Sequence, residues 1–154
     1  MNRPRRSGID PVARSRARRR ALQAIYAWQV SGGNAQQVIG QFAHEQAKEA
    51  ADLEYFEDLV RGVIRHHADL DAALAEFIDR DMAQVDQIER AALRIAAYEL
   101  RNRPDIPYRV VINEAIDSTK RFGSEHGHTY VNGVLDKAAA EWRAPEFNAA
   151  RRPQ

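Results

Sequence analysis

Eight of the first twenty residues are arginines: Arg3, Arg5, Arg6, Arg14, Arg16, Arg18, Arg19 and Arg20, opposed only by Asp10. A guanidinium is a planar fork of donors that fits phosphate oxygens and stacks on bases, so such a cluster carries the chemistry of a nucleic-acid contact. Residues 1–20 carry +7, whereas residues 21–150 hold 13 basic and 21 acidic residues, a net of −8, and Arg151 and Arg152 return +2. The chain therefore reads as a basic arm on an acidic body. The arm attracts a polyanion; the body repels one and attracts a basic protein. The plainer alternative is a solvated charge block with no dedicated ligand.

Other chemistry is sparse. There is no cysteine, which excludes disulfides, thiol nucleophiles and Cys-ligated zinc and fits a reducing compartment. No phosphate-binding glycine loop, dinucleotide fingerprint or nucleophile elbow occurs. Glu125, His126 and His128 are the best metal candidates, but no further strong ligand group accompanies them. His66 and His67 point to different sides of a helix, and His67 lies on an apolar stripe as a hydrogen-bonded core histidine would. Asp79, Asp81 and Asp86 read as a solvated inter-helix loop. No enzyme, metal or cofactor is expected. No apolar run approaches the ~18 residues of a membrane helix. Gln23, Gln29 and Ser31 interrupt any signal-peptide core after the basic start, so no membrane contact and a cytoplasmic location are expected.

The elements that must position these residues read as helices. A length of 154 residues, 44% hydrophobic and 29% charged, suits one soluble domain with a real core. The first helix spans about 13–30, with Pro11 after Asp10 as an earlier start, and stops at Ser31-Gly32-Gly33-Asn34. A short helix covers about 35–46, with Val38, Ile39 and Phe42 on one face. Leu53, Phe56, Val60, Val63, His67, Leu70, Leu74 and Phe77 then alternate spacings of 3 and 4, a stripe suited to antiparallel packing, with a break expected at His66-His67. Asp86 with Glu89 forms a candidate capping box for a helix so apolar that it should be central. Pro104 and Pro107 separate it from a helix carrying Val111, Ile112, Ala115, Ile116 and Phe122, capped at Gly123. A last helix uses Tyr130, Val131, Val134 and Leu135, and its Gly133 suggests close approach of a neighbouring helix. From Pro145 onward the chain should fray. The fold class expected is all-α, a single-domain helical bundle of six or seven helices. It comprises a flexible basic extension over 1–13, a helical domain over 14–142 and a flexible tail over 143–154.

Three blocks carry a resemblance: RRRALQAIYAWQVS at 18–31, QIERAALRIAAYEL with IPYRVVINEAIDSTKRFG within 87–123, and YVNGVLDK at 130–137. In order and spacing they resemble the NusB family of bacterial transcription antitermination factors. The resemblance implies an all-helical protein that binds single-stranded boxA RNA of nascent ribosomal RNA transcripts. It does so with NusE, a small basic ribosomal protein, within the RNA polymerase antitermination complex, which then reads through terminators. It also allows weak homodimerisation through the RNA face. The fold also occurs as an accessory domain of some ribosomal RNA methyltransferases, for which nothing of this sequence is left over.

Residue by residue, the resemblance implies RNA contacts at Arg14, Arg16 and Arg18, with Arg19 and Arg20 adjoining, and at Lys120 and Tyr130. Tyr130 suits base stacking and suits half-buried packing equally; Lys120 also suits a plain solvated face. Glu89 matches a position that faces NusE, as does Tyr26, whose helical face also suits the core. His126 stands where relatives can carry an acidic residue near the NusE surface. The arginines of 1–13 have no family role to inherit. A rival reading is a protein-interaction or assembly adaptor without sequence-specific RNA recognition.

Overall fold

The computed structural model describes residues 10–48 and 52–151, with backbone alone for 43–48 and 151. Arg3, Arg5 and Arg6, and with them most of the expected extension, lie outside the described residues. The described residues form seven α-helices and no strand: α1 Pro11–Ser31, α2 Ala35–Lys48, α3 Leu53–Leu74, α4 Gln87–Asn102, α5 Tyr108–Phe122, α6 Gly127–Trp142 and α7 Ala144–Arg151. A one-turn 3-10 helix, Met82–Gln84, lies between α3 and α4.

The helix starts follow from side chains that satisfy orphan backbone donors. Asp10 accepts from the Val12 and Ala13 N–H groups at 3.0 and 3.3 Å, with Pro11 in the first turn. Asn34 and Gln37 cap α2 reciprocally at 2.9 and 3.1 Å. The α1–α2 turn takes φ of +79° at Gly32 and +99° at Gly33, a region that favours glycine. Helix α4 is central, packing against α1, α3, α5 and α6. Every residue from Ala91 to Leu100 is buried, around a core that includes Phe56, Leu22, Leu59, Leu93 and Leu135.

Three expectations are corrected. Helix α3 runs unbroken through His66-His67. The His67 Nδ1 lies 2.9 Å from the Ile64 carbonyl and its ring meets Trp28 edge-on at 5.0 Å. The polar ring is thus satisfied without leaving the apolar stripe. Second, Gly133 does not serve close packing, since a Cβ there would meet nothing within 4 Å. The close approach is at Gly62, where a Cβ would stand 2.2 Å from the Tyr98 ring, bringing α3 onto α4.

Third, residues 145–151 belong to α7 instead of fraying, while residues 152–154 of the expected tail lie outside the described residues. Phe147 is buried 5.3 Å from the Tyr108 ring. Glu146 accepts from the Tyr108 N–H at 2.8 Å, supplying the cap that Pro107 cannot. Buried Arg143 donates to the Leu100 and Arg103 carbonyls at 2.9 and 3.0 Å, satisfying the C-terminal end of α4. Residues 143–147 are therefore tied to the ends of two other helices.

Candidate nucleic-acid and partner interface

At about 100° per residue, one turn of α1 separates the arginines into different environments. Arg18 turns inward and is 5% exposed. Its Nε and Nη2 donate to the Glu99 carboxylate at 3.0 and 2.9 Å, and Nη2 also reaches the Tyr55 hydroxyl at 3.3 Å. Glu114 stands 3.7 Å from Nη1, and the Tyr55 hydroxyl donates to Glu99 as well. Burial works against the Arg18 charge, but Glu99 outweighs it and holds the guanidinium pKa above its ordinary value. Burial, then the Glu99 charge, pushes the Tyr55 phenol up. The expectation that Arg18 meets RNA is corrected: its fork is filled by protein carboxylate.

Arg14 sits at the rim of the same network, 3.6 Å from Asp52 and 4.2 Å over the Tyr55 ring. Arg16, Arg19 and Arg20 face the half-exposed side. Arg19 is held below its ordinary pKa first by burial, then by Arg121 of α5, against the pull of Glu114 and with help from Arg16 and Arg20. The outer arginines of α1 thus form one electrostatic group with the exposed C-terminal turn of α5, which also carries Lys120. The same outward stripe of α1 continues to Tyr26, 40% exposed, and Val30. Tyr26 is therefore a surface residue and not a core one.

The remaining candidates meet at a second corner, where α4 and α6 begin and α5 ends. Asp86 caps α4 through the Ile88 and Glu89 N–H groups at 3.0 and 3.3 Å. The Glu89 side chain does not complete the capping box. It turns toward Ser124, whose hydroxyl donates at 3.5 Å, and toward Gly127, where a Cβ would stand 2.6 Å from its carboxylate oxygen. Gly127 is the first residue of α6, so the carboxylate faces the positive end of that helix. Glu89 is 8% exposed. Burial, then the Asp86 charge, raises its pKa, opposed by the Ser124 bond and Arg80. His126 is exposed on the adjoining turn, 3.9 Å from Glu125.

Tyr130 belongs to this corner rather than to the arginine strip. Its hydroxyl bonds Asp79 at 3.3 Å, and Arg80 lies 4.6 Å over its ring. Arg80 pairs with Asp79 at 2.7 Å, and its charge is felt at Glu89. The loop read from sequence as merely solvated therefore supplies a lid on the tyrosine. Gln29 of α1 bonds the Gln87 carbonyl at 2.9 Å, setting the Tyr26 half of α1 beside the start of α4. The result is a basic strip on α1 and α5 next to a corner rich in carboxylates: Asp79, Asp86, Glu89 and Glu125.

Residues 15–140 match the NusB family. The chain is 70% identical over 146 residues to the transcription antitermination protein NusB of Xanthomonas axonopodis pv. citri (strain 306), covering 95% of this chain and 92% of that protein. It is also 70% identical over 142 residues to the protein of the same name from Stenotrophomonas maltophilia (strain K279a), covering 92% and 89%. Among solved structures, it is similar to T. maritima NusB, with a TM-score of 0.72 and 27% identity over 92% of this chain and 94% of that one. It is also similar to a structure of the antitermination factors NusB and NusE in complex with dsRNA, with a TM-score of 0.75 and 25% identity over 86% and 98%.

Proposed function

We propose, because this chain belongs to the NusB family, that it is a non-catalytic, cytoplasmic RNA-binding antitermination factor. In this reading it binds boxA RNA of nascent ribosomal RNA transcripts together with NusE and helps RNA polymerase pass terminators. The observation that carries the reading is the segregation of charge on one surface. Arg16, Arg19, Arg20 and Lys120 offer phosphate-binding chemistry, and the neighbouring carboxylate corner at Glu89 suits a basic ribosomal protein.

The test compares boxA RNA with a scrambled strand, single- and double-stranded, with and without NusE. Four phosphate contacts predict a slope of log affinity on log salt of roughly −3, at about −0.7 per contact for single strands. Arg16→Ala with Arg19→Ala should flatten that slope by roughly 1.4 and weaken all sequences alike. A slope unmoved by the pair removes the strip from the RNA site. Specific capture of protein without any RNA affinity supports the adaptor reading instead.

Tyr130 receives a separate test, because a base can stack on its ring only by displacing the Arg80 guanidinium. An exposed cation–π contact is worth about 0.5–1 kcal/mol. Arg80→Ala is therefore expected to tighten RNA binding by roughly two- to fivefold at high salt, and Tyr130→Ala to abolish that gain. If Tyr130→Ala lowers the melting temperature and leaves affinity unchanged, the ring is packing only.

A further inference from the structure

Gly133 stands near the middle of α6, exposed and with an ordinary helical backbone. Glycine there weakens the helix relative to alanine. The fold gains nothing in return: among the described residues, no packed neighbour lies within 4 Å of where a Cβ would be. At Gly62, by contrast, the missing Cβ admits the Tyr98 ring. Gly133 therefore leaves a strip of bare helix backbone open to an approach from outside the chain.

Its place on α6 says which approach. At about 100° and 1.5 Å per residue, seven residues bring Gly133 to within about 20° of His126 and set it roughly 10 Å further along the helix. His126 begins α6 at the corner where Glu89 faces Gly127. The bare strip is thus continuous with the carboxylate corner. Around it, Thr129, Asn132 and Asp136 are exposed, and their side chains make no hydrogen bond or ion pair among the described residues. Asn132 and Asp136 also line a groove of about 220 Å³ with Asn113 and Arg109 of α5. A side-chain amide offers both donor and acceptor to a peptide main chain. An unpaired carboxylate draws a cation and repels a phosphate. Tyr130 and Lys137 border the same strip, which makes RNA the competing occupant.

We propose that the partner surface extends from the Glu89 corner along α6, and that an extended segment of the basic partner passes over the bare backbone at Gly133, between Thr129, Asn132 and Asp136. The inference rests on the partner reading above and adds to it a second helix face and a residue that excludes side chains from the contact.

Calorimetric titration of NusE, and separately of single-stranded boxA RNA, into the whole chain, Gly133→Ala and Gly133→Leu tests it. Both replacements favour helix over glycine, so the melting temperature of the free chain should rise, by roughly 2–4 °C for alanine. NusE affinity should nonetheless fall, by about tenfold for alanine and further for leucine, as for a group forced into a close-packed contact, with RNA affinity unchanged. Wild-type NusE affinity in Gly133→Leu overturns the inference and leaves the partner reading to stand or fall on Glu89→Gln. Loss of RNA affinity in either variant overturns it in favour of RNA on this face. Absence of NusE binding by the wild-type chain overturns the inference and the partner reading together.

Discussion

Arg18→Ala is expected to destabilise the fold by about 3–5 kcal/mol, the range found when one partner of a buried ion pair is removed. The mutation leaves the Glu99 carboxylate, 1% exposed, without the hydrogen bonds from the Arg18 Nε and Nη2. The Tyr55 hydroxyl remains as a donor to Glu99, but it loses the Arg18 contact that set its position. Urea unfolding of Arg18→Ala, Glu99→Gln and an Arg18→Met/Glu99→Leu double variant measures this. The double variant should recover much of the loss, because apolar replacement of a whole buried pair is often neutral. A loss under about 1 kcal/mol in Arg18→Ala would mean that water reaches the pair and screens it. The consequence for function is direct. Arg18→Ala should reduce RNA binding only through the unfolded fraction, with the salt slope of the folded protein unchanged, whereas Arg16→Ala and Arg19→Ala should change the slope and spare the fold.

That division within α1 was partly legible in the sequence. Arg14, Arg18, Ala21, Leu22 and Ile25 follow spacings of 4, 3, 1 and 3, the inner stripe of a helix. Glu99 inside the apolar run of α4 demands a buried cation. Reading the arginines by type alone placed Arg18 outside; reading them by angle places it in the core. The helix starts at Asp10, Asn34 and Asp86 and the stop at Gly32-Gly33 were legible because their partners lie within a few residues. Helix α7 was not, because Arg143 and Glu146 cap backbone groups some forty residues away. The same holds for the two glycines. Spacing says only that Gly62 and Gly133 are helical, and which one faces Tyr98 is a matter of tertiary packing. A partner-facing role for Glu89 is suggested only by the family resemblance, since nothing in its spacing sets it apart from a capping residue. Arg80, six residues before the Asp86 cap, was missed, since its role depends on Tyr130 fifty residues on.

Glu89→Lys is expected to weaken NusE binding by several kcal/mol, since it sets like charge against a basic partner at a largely desolvated position. The free protein should also lose stability. The ammonium would face the positive ends of α4 and α6 and the Arg80 charge, in a niche that fits a carboxylate only because residue 127 is glycine. Weak binding by Glu89→Lys therefore does not by itself distinguish a lost contact from a distorted corner, and Glu89→Gln does. Burial and Asp86 raise the Glu89 pKa, so the folded chain holds that proton more tightly than the unfolded chain. The stability this contributes is present below the ordinary carboxylate range and lost as pH rises through the raised value. At neutral pH the ionised group is a net cost, and Glu89→Gln should leave the fold as stable as wild type or more so. Calorimetric titration of NusE into Glu89→Gln at moderate salt should nonetheless show roughly tenfold weaker binding, as for one lost charge-assisted contact, with RNA binding by the isolated chain unchanged. A residue whose neutralisation helps the free protein and harms the complex is held there for the complex. Wild-type NusE affinity in the folded glutamine variant would instead mean that the carboxylate serves only the α5–α6 turn and that the basic partner docks elsewhere.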